Sequence, residues 1–290
     1  MTASKREIDD VTGVETTGHE WDGIKELNKP LPKWWLMTFY ACIAWSVGYW
    51  VIYPAWPTLN GYTRGVIGYS QRTVVTEELS AARSAQTVFR DKIAVLPLDG
   101  LKSDADLLRF AMAEGAASFQ ANCAACHGRG AQGFVGYPNL NDDEWLWGGS
   151  IDQIHKTISF GVRSEHKDAR ASQMPRFGLD KMLDDTQIGD TAEYVLSLSG
   201  ASTPSDAAAR GQKLFTENCV SCHGDAGKGL QEQGAPDLTD AIWLYGGSKQ
   251  AIIESIRTGR GGMMPAWSGR LDPATIKSLA IYVHSLGGGK

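Results

Sequence analysis

The sequence predicts an all-α protein, with one N-terminal transmembrane helix followed by two tandem copies of a small helical domain. Three observations predict it. A stretch without a single charged residue runs from Trp34 to Trp56. A short pattern occurs twice, as N-C-A-A-C-H-G at Asn122–Gly128 and N-C-V-S-C-H-G at Asn218–Gly224. Around each pattern a much longer set of residues repeats in register.

The chain has 290 residues, room for about two ordinary domains plus additional segments. Its 42% hydrophobic and 21% charged content is ordinary for a folded protein. A net charge of −5 argues against nucleic acid as a partner. The five cysteines divide into two C-x-x-C pairs and Cys42, so no disulfide framework is needed if the pairs are otherwise engaged.

Residues 1–32 are polar and mixed in charge, with no apolar core of a signal peptide. They are expected to form a short, partly disordered tail on the cytoplasmic side. Within it T-G-H-E-W-D-G-I at Thr17–Ile24 offers a Trp and a His to a partner. Residues 33–57 are the expected transmembrane helix, since an uncharged run of about 20 residues spans the hydrocarbon core. Trp34, Trp35, Tyr53 and Trp56 stand at its ends, where aromatic rings favour the membrane interface. Pro54 and Pro57 stop it. The competing reading is the buried helix of a soluble core. Lys25, Lys29 and Lys33 precede the span and Arg64 and Arg72 follow it, a small bias toward an inside N-terminus. Cys42, mid-span, reads as a packing residue.

Residues 58–102 are a connector. Gly61, Gly65 and Gly68 open it, Thr73–Val95 reads as an Ala-rich surface helix, and Pro97 and Gly100 break that helix. The duplicated domains follow, at 103–200 and 205–290. Gly115, Phe119 and Asn122 match Gly211, Phe215 and Asn218. The run Asn139–Ser150 matches Asp237–Ser248, and Ile154, Ile158 and Gly161 match Ile252, Ile256 and Gly259. Met174-Pro175 matches Met264-Pro265, and Tyr194–Leu198 matches Tyr282–Leu286. One gap is needed, where the first copy is longer at Arg163–Gln173. Self-similarity over this length is duplication of a whole domain. Each copy reads as helix, Cys-His loop, short helices, Met loop, helix. Ser103 is the expected N-cap of the first opening helix, and Asp272 with Pro273 that of the last helix. Ser199–Ser205 is the linker between the copies.

C-x-x-C-H is a site for covalent attachment of c-type haem. Cys123 and Cys126, and again Cys219 and Cys222, would become thioethers, with His127 and His223 as proximal iron ligands. The rival uses of C-x-x-C, a redox dithiol or zinc, do not explain a His beside the second Cys in both copies. The sixth iron position decides the chemistry. Left open, it binds gas or peroxide; filled by a Met, it makes an electron carrier of raised potential. Met174 and Met264 occupy matching places in the repeat, whereas Met263 does not, and His155, His166 and His284 are not duplicated. Acidic residues gather at Asp142, Asp143 and Glu144, a candidate docking face for a basic electron donor.

These features resemble the CcoP (FixP) subunits of cbb3-type cytochrome c oxidases. The resemblance rests on Thr17–Ile24, on P-L-P-K-W-W at Pro30–Trp35, on Y-P-A-W-P at Tyr53–Pro57 and on both Cys-His copies. It implies two tandem class I cytochrome c domains carrying two covalently bound haem c groups, on a single-pass anchor in the bacterial inner membrane. The N-terminus would be cytoplasmic and the haem domains periplasmic, because haem of this kind is attached outside the cytoplasm. It implies electron transfer without catalytic residues in this chain. Electrons would come from a soluble or membrane cytochrome c or a bc1 complex. They would leave through a monohaem cytochrome c subunit to the haem–copper subunit that reduces oxygen, and the anchor would contact membrane lipid. The alternatives are the cytochrome subunit of a periplasmic dehydrogenase and a haem peroxidase or gas sensor. Spacing favours each Met ligating the haem of its own copy; the resemblance also admits the exchanged pairing, and the choice stays open.

Overall fold

The computed structural model describes residues 6–287. The chain divides into two compact units, Met1–Ala82 and Arg83–Lys290.

The first unit opens with an antiparallel hairpin, β1 (Thr16–Trp21) and β2 (Ile24–Leu27), with Trp21 opposite Ile24. This corrects the expected disordered tail. The turn is Asp22-Gly23, with φ of 47° and 85°. Asp-Gly is a preferred two-residue hairpin turn because positive φ at both positions matches the twist of the strands. Helix α1 (Lys33–Ile52) follows, and none of its side chains is buried within the chain. Among the described residues it is the one helix long and apolar enough to cross a membrane. Apolar residues surround it on every side, as a lipid environment requires. It ends earlier than Trp56 because Tyr53, ahead of Pro54, is forced into extended backbone. Trp50 and Trp56 then meet edge to face at 4.8 Å, and a short ribbon, β3 (Pro57–Thr58) with β4 (Gly61–Tyr62), turns the chain.

Helix α2 (Gln71–Val95) runs across the unit boundary. Pro97 interrupts it, as expected, but a further turn, α3 (Leu98–Lys102), continues through Gly100. Helix α4 (Ala105–Asn122) is capped by Asp104, whose carboxylate accepts from the backbone N–H groups of Asp106 and Leu107. The cap is therefore one residue beyond the expected Ser103. The single turn α5 (Ala124–His127) follows, then α6 (Ile151–Phe160) and α7 (Asp185–Leu198), each opened by a capping box, at Ser150/Gln153 and Asp184/Gln187. The second copy repeats this plan as α8 (Asp206–Asn218), α9 (Val220–His223), α10 (Lys249–Thr258) and α11 (Pro273–Leu286). Asp272 caps α11 and Pro273 takes its first position, as the sequence predicts.

Residues 103–200 and 205–290 delimit the repeats, but each packed core combines parts of both. In the first core, Ala111 and Phe119 of α4 and Ile154 and Ile158 of α6 pack against Leu279, Ala280 and Ile281 of α11. In the second, Phe215 of α8 and Ile252 and Ile256 of α10 pack against Ile188, Ala192 and Val195 of α7. The closing helices have changed places. The linker gives the physical reason: Ser199–Ser205 joins α7 to α8 so tightly that the two pack as a helical hairpin. Both crossings use a glycine. A Cβ at Gly115 would lie 2.2 Å from the Ser278 carbonyl oxygen, and one at Gly211 would lie 2.0 Å from that of Asp190. The connector also enters the first core, where Ile93, Leu98 and Leu101 are buried. Burying each of these side chains contributes about 2 kcal/mol.

Candidate functional site

At each Cys-His motif the chain leaves a long helix and winds one further turn. The amides of Cys126 and His127 donate to the Cys123 carbonyl at 3.1 and 2.9 Å. Those of Cys222 and His223 donate to the Cys219 carbonyl at 3.2 and 2.9 Å. This turn gathers two thiols and one imidazole. His127 Nδ1 lies 3.0 Å from the Pro138 carbonyl oxygen, and His223 Nδ1 lies 3.2 Å from that of Pro236. A carbonyl only accepts, so Nδ1 carries the proton and Nε2 keeps a lone pair for a metal. Burial lowers the pKa of both imidazoles, against the opposing pull of these carbonyls, and so favours the neutral, ligating form. Burial, helped by the neighbouring thiol, pushes Cys123 and Cys219 up to about 11. A redox dithiol or zinc thiolate needs the opposite shift.

The second site opens into a cavity of about 210 Å³. Cys219, Cys222 and His223 line it, and so does Met174, which belongs to the first repeat. Phe177, Val195, Phe215 and Ile252 make much of its wall apolar. At the first site Met264, from the second repeat, packs on the same core as Cys123. The backbone explains both placements. Val162 and Met264 exchange two hydrogen bonds of 3.0 Å. Gly161 lies against Met264, and Gly259 lies against Met174. A Cβ would approach the Met264 and Met174 carbonyl oxygens to 2.3 and 2.5 Å respectively. Each Met loop is thus cradled by a helix-ending glycine of the other repeat, both at positive φ.

These residues fit a haem. Thiols and a proton-fixed imidazole stand at one side of an apolar space, and a thioether lines the same space. Met263 is exposed. His155, His166 and His284 do not line the cavity, and His166 stacks on Phe160 instead. Of the acidic run, Glu144 is partly withdrawn: burial raises its pKa, as do Asp240 and Asp237 of the second repeat.

A set of arginines stands outside the sequence motifs. Arg260 lies over the Tyr245 ring at 5.2 Å and donates from Nη2 to the Ala251 carbonyl at 2.8 Å. Arg170 lies over the Trp147 ring at 5.4 Å and donates from Nη2 to the Gln153 carbonyl at 3.4 Å. Trp147 and Gln153 are the repeat equivalents of Tyr245 and Ala251, so the two arginines occupy corresponding places. In the sequence they do not align: Val162 stands opposite Arg260, and Arg170 lies in the insertion. The signal present was the aromatic residue shared by both copies.

Paired Cys-Cys-His turns, a Met brought to each core and an unburied apolar helix define a cytochrome of the c type, an electron carrier built for membrane attachment. Residues 13–60 match the N-terminal domain of cytochrome oxidase-cbb3, FixP. Residues 110–195 and 206–283 match cytochrome c oxidase, cbb3-type, subunit III. A cbb3-type cytochrome c oxidase subunit FixP of Bradyrhizobium sp. (strain ORS 278) is 55% identical, over 99% of this chain and 100% of its own. Subunits CcoP of Azospirillum brasilense and Cereibacter sphaeroides are 51% and 50% identical, over 99% and 95% of this chain and 100% and 95% of their own. The chain belongs to the FixP/CcoP family of cbb3-type cytochrome c oxidase subunits. Its role is electron transfer within that oxidase, its cofactor is c-type haem, and its partners are the other oxidase subunits.

Proposed function

We propose that the chain carries two covalent c haems, one held by Cys123, Cys126 and His127 and the other by Cys219, Cys222 and His223. The distal ligands are exchanged, with Met264 serving the site of His127 and Met174 the site of His223. One observation carries this reading: Met174 lines the same cavity as Cys219, Cys222 and His223. Bound haem supplies a one-electron iron couple, and a filled sixth position makes it a carrier rather than an oxygen or peroxide site. The chain's own residues hold and tune that group. The carbonyls of Pro138 and Pro236 fix the imidazole tautomers, and the apolar walls exclude water. The crossed Met loops join both sites in one fold.

Helix α1 anchors the chain in the bacterial inner membrane, with the N-terminus cytoplasmic and the haem sites periplasmic. Covalent haem attachment outside the cytoplasm supports this orientation. The chain accepts electrons from a soluble or membrane cytochrome c or a bc1 complex. It passes them to the monohaem cytochrome c subunit and so to the haem–copper subunit. Haem quantification per polypeptide is the test, and two acid-acetone-resistant haems are expected. One haem per chain, or haem that acid acetone extracts, defeats the reading.

A further inference from the structure

We propose that Arg163 and Arg260 are the anchors of the two propionate carboxylates of the haem attached at Cys219 and Cys222, so that one haem is gripped by a cation from each repeat. The proposal rests on the reading that a haem occupies this cavity. Both arginines line it. Arg163 comes from the first repeat and spends Nε on the Gly262 carbonyl at 2.7 Å and Nη1 on that of Ser172 at 2.6 Å. Arg260 comes from the second and spends Nη2 on the Ala251 carbonyl. Its Nε is buried and has no hydrogen-bond partner.

Among the described residues neither guanidinium has a carboxylate partner, a lack they share with Arg170 and Arg270, but of these four only Arg163 and Arg260 line the cavity. Asp237 also lines the cavity, but Lys228 and Thr239 engage its carboxylate. A guanidinium cannot discharge itself by losing a proton. Two withdrawn cations with N–H groups to spare, beside an apolar space, call for a flat apolar ligand bearing two carboxylates. Haem has that chemistry. The corresponding arginine of the first copy is differently employed. Arg170 gives Nε to Thr157 at 3.3 Å and Nη2 to the carbonyls of Trp147 and Gln153. The effect should therefore fall on the second haem alone.

A cation beside the propionates favours the reduced haem, which carries one positive charge fewer. The test is spectroelectrochemical titration of the purified oxidase, with the second haem's component identified by its response to Met174→His. Arg163→Gln and Arg260→Gln should each lower that component's midpoint, and the double variant should lower it further. Arg163→Lys and Arg260→Lys, which keep the charge, should restore most of the shift, and the other component should stay in place. Unchanged midpoints at full haem content overturn the proposal, as does a shift confined to the haem at Cys123 and Cys126. If the Gln variants lose the haem, the Lys variants must retain it; Lys variants that lose it too overturn the assignment. A wild-type chain with no haem at Cys219 and Cys222 overturns the underlying reading as well.

Discussion

The two cores grow from one repeated sequence, yet their closing helices are secured in different ways. In the first core, Arg90 of the connector pairs with Glu114 of α4 and with Asp272 at 2.6 Å. Ser278 donates to Glu114 at 2.8 Å, and Lys277 donates to the carbonyls of Ala94 and Leu96 at 2.8 and 2.6 Å. In the second, Arg210 grips Asp190 in a bidentate pair at 2.7 and 2.8 Å, with Arg257–Asp185 and Lys249–Glu193 outside it. The Arg90 side chain is 28% exposed and that of Arg210 is 59%. The difference follows the route of the chain. Helix α7 reaches α8 through the short Ser199–Ser205 linker, which costs little loop entropy, whereas α11 reaches α4 from the far end of the chain. Duplication kept the apolar seam and the glycine crossing in both cores. The less exposed charged clamp stands where the tether is long.

The largest expected effect tests the exchange itself. Met174→His should lower the midpoint of the haem at Cys219 and Cys222, and Met264→His that of the haem at Cys123 and Cys126. The fall should be a large part of the roughly 0.8 V range that axial ligands span. Potentiometry of chains carrying one attachment motif at a time checks it, and the reverse pattern means that each Met serves its own copy. The crossings come next. Gly115→Ala and Gly211→Ala place a Cβ inside a carbonyl of the facing helix and should each cost about 3 kcal/mol, read by thermal unfolding. Gly189→Ala in α7 meets nothing within 4 Å and should stabilise by about 0.5 kcal/mol.

The clamps should then separate by salt. Arg90→Ala leaves the Glu114 carboxylate, which is 13% exposed, with Ser278 but no cation, and should cost about 2 kcal/mol with little salt dependence. Arg210→Ala should cost less, and raised salt should erase much of the difference from wild type. The smallest effect concerns acid. Partial burial works to raise the Asp272 pKa, but hydrogen bonds from Thr275 and the Arg90 charge outweigh it and hold the group below 3.8. A depressed folded pKa contributes stability above the unfolded value that is lost as pH falls through the folded one. Protection of the α11 amides, taken relative to their intrinsic exchange rates, should therefore fall as pH drops below about 4, and Asp272→Asn should flatten that dependence.

Much of this was legible in the sequence. The repeat, the caps at Asp272 and Pro273, and the Cys-His turns follow from local patterns that fold the same way wherever they occur. The exchange was not, because Gly115 and Gly211, or Ile154 and Ile252, are alike and cannot state which closing helix they receive. The length of the 199–205 linker decides that. Arg260 escaped notice because its counterpart Arg170 sits in the insertion, where alignment gives no partner. Ile93, Leu98 and Leu101 looked like connector residues, since a core completed from three separate segments leaves no continuous periodic signal. The hairpin at Asp22-Gly23 does carry its signal, a preferred two-residue turn, within a stretch whose polar composition reads as a tail.

The crossed helices also fix an order of events in time. As the chain emerges from the ribosome, α7 is already present when α8 and α10 appear, so the second core has all its walls once α10 is made. The first core lacks Leu279, Ala280 and Ile281 until α11 is synthesised. The Cys-His turn made first thus belongs to the core that is completed last. A chain stopped just before α11 would keep its second site walled and leave Phe119, far upstream, facing water.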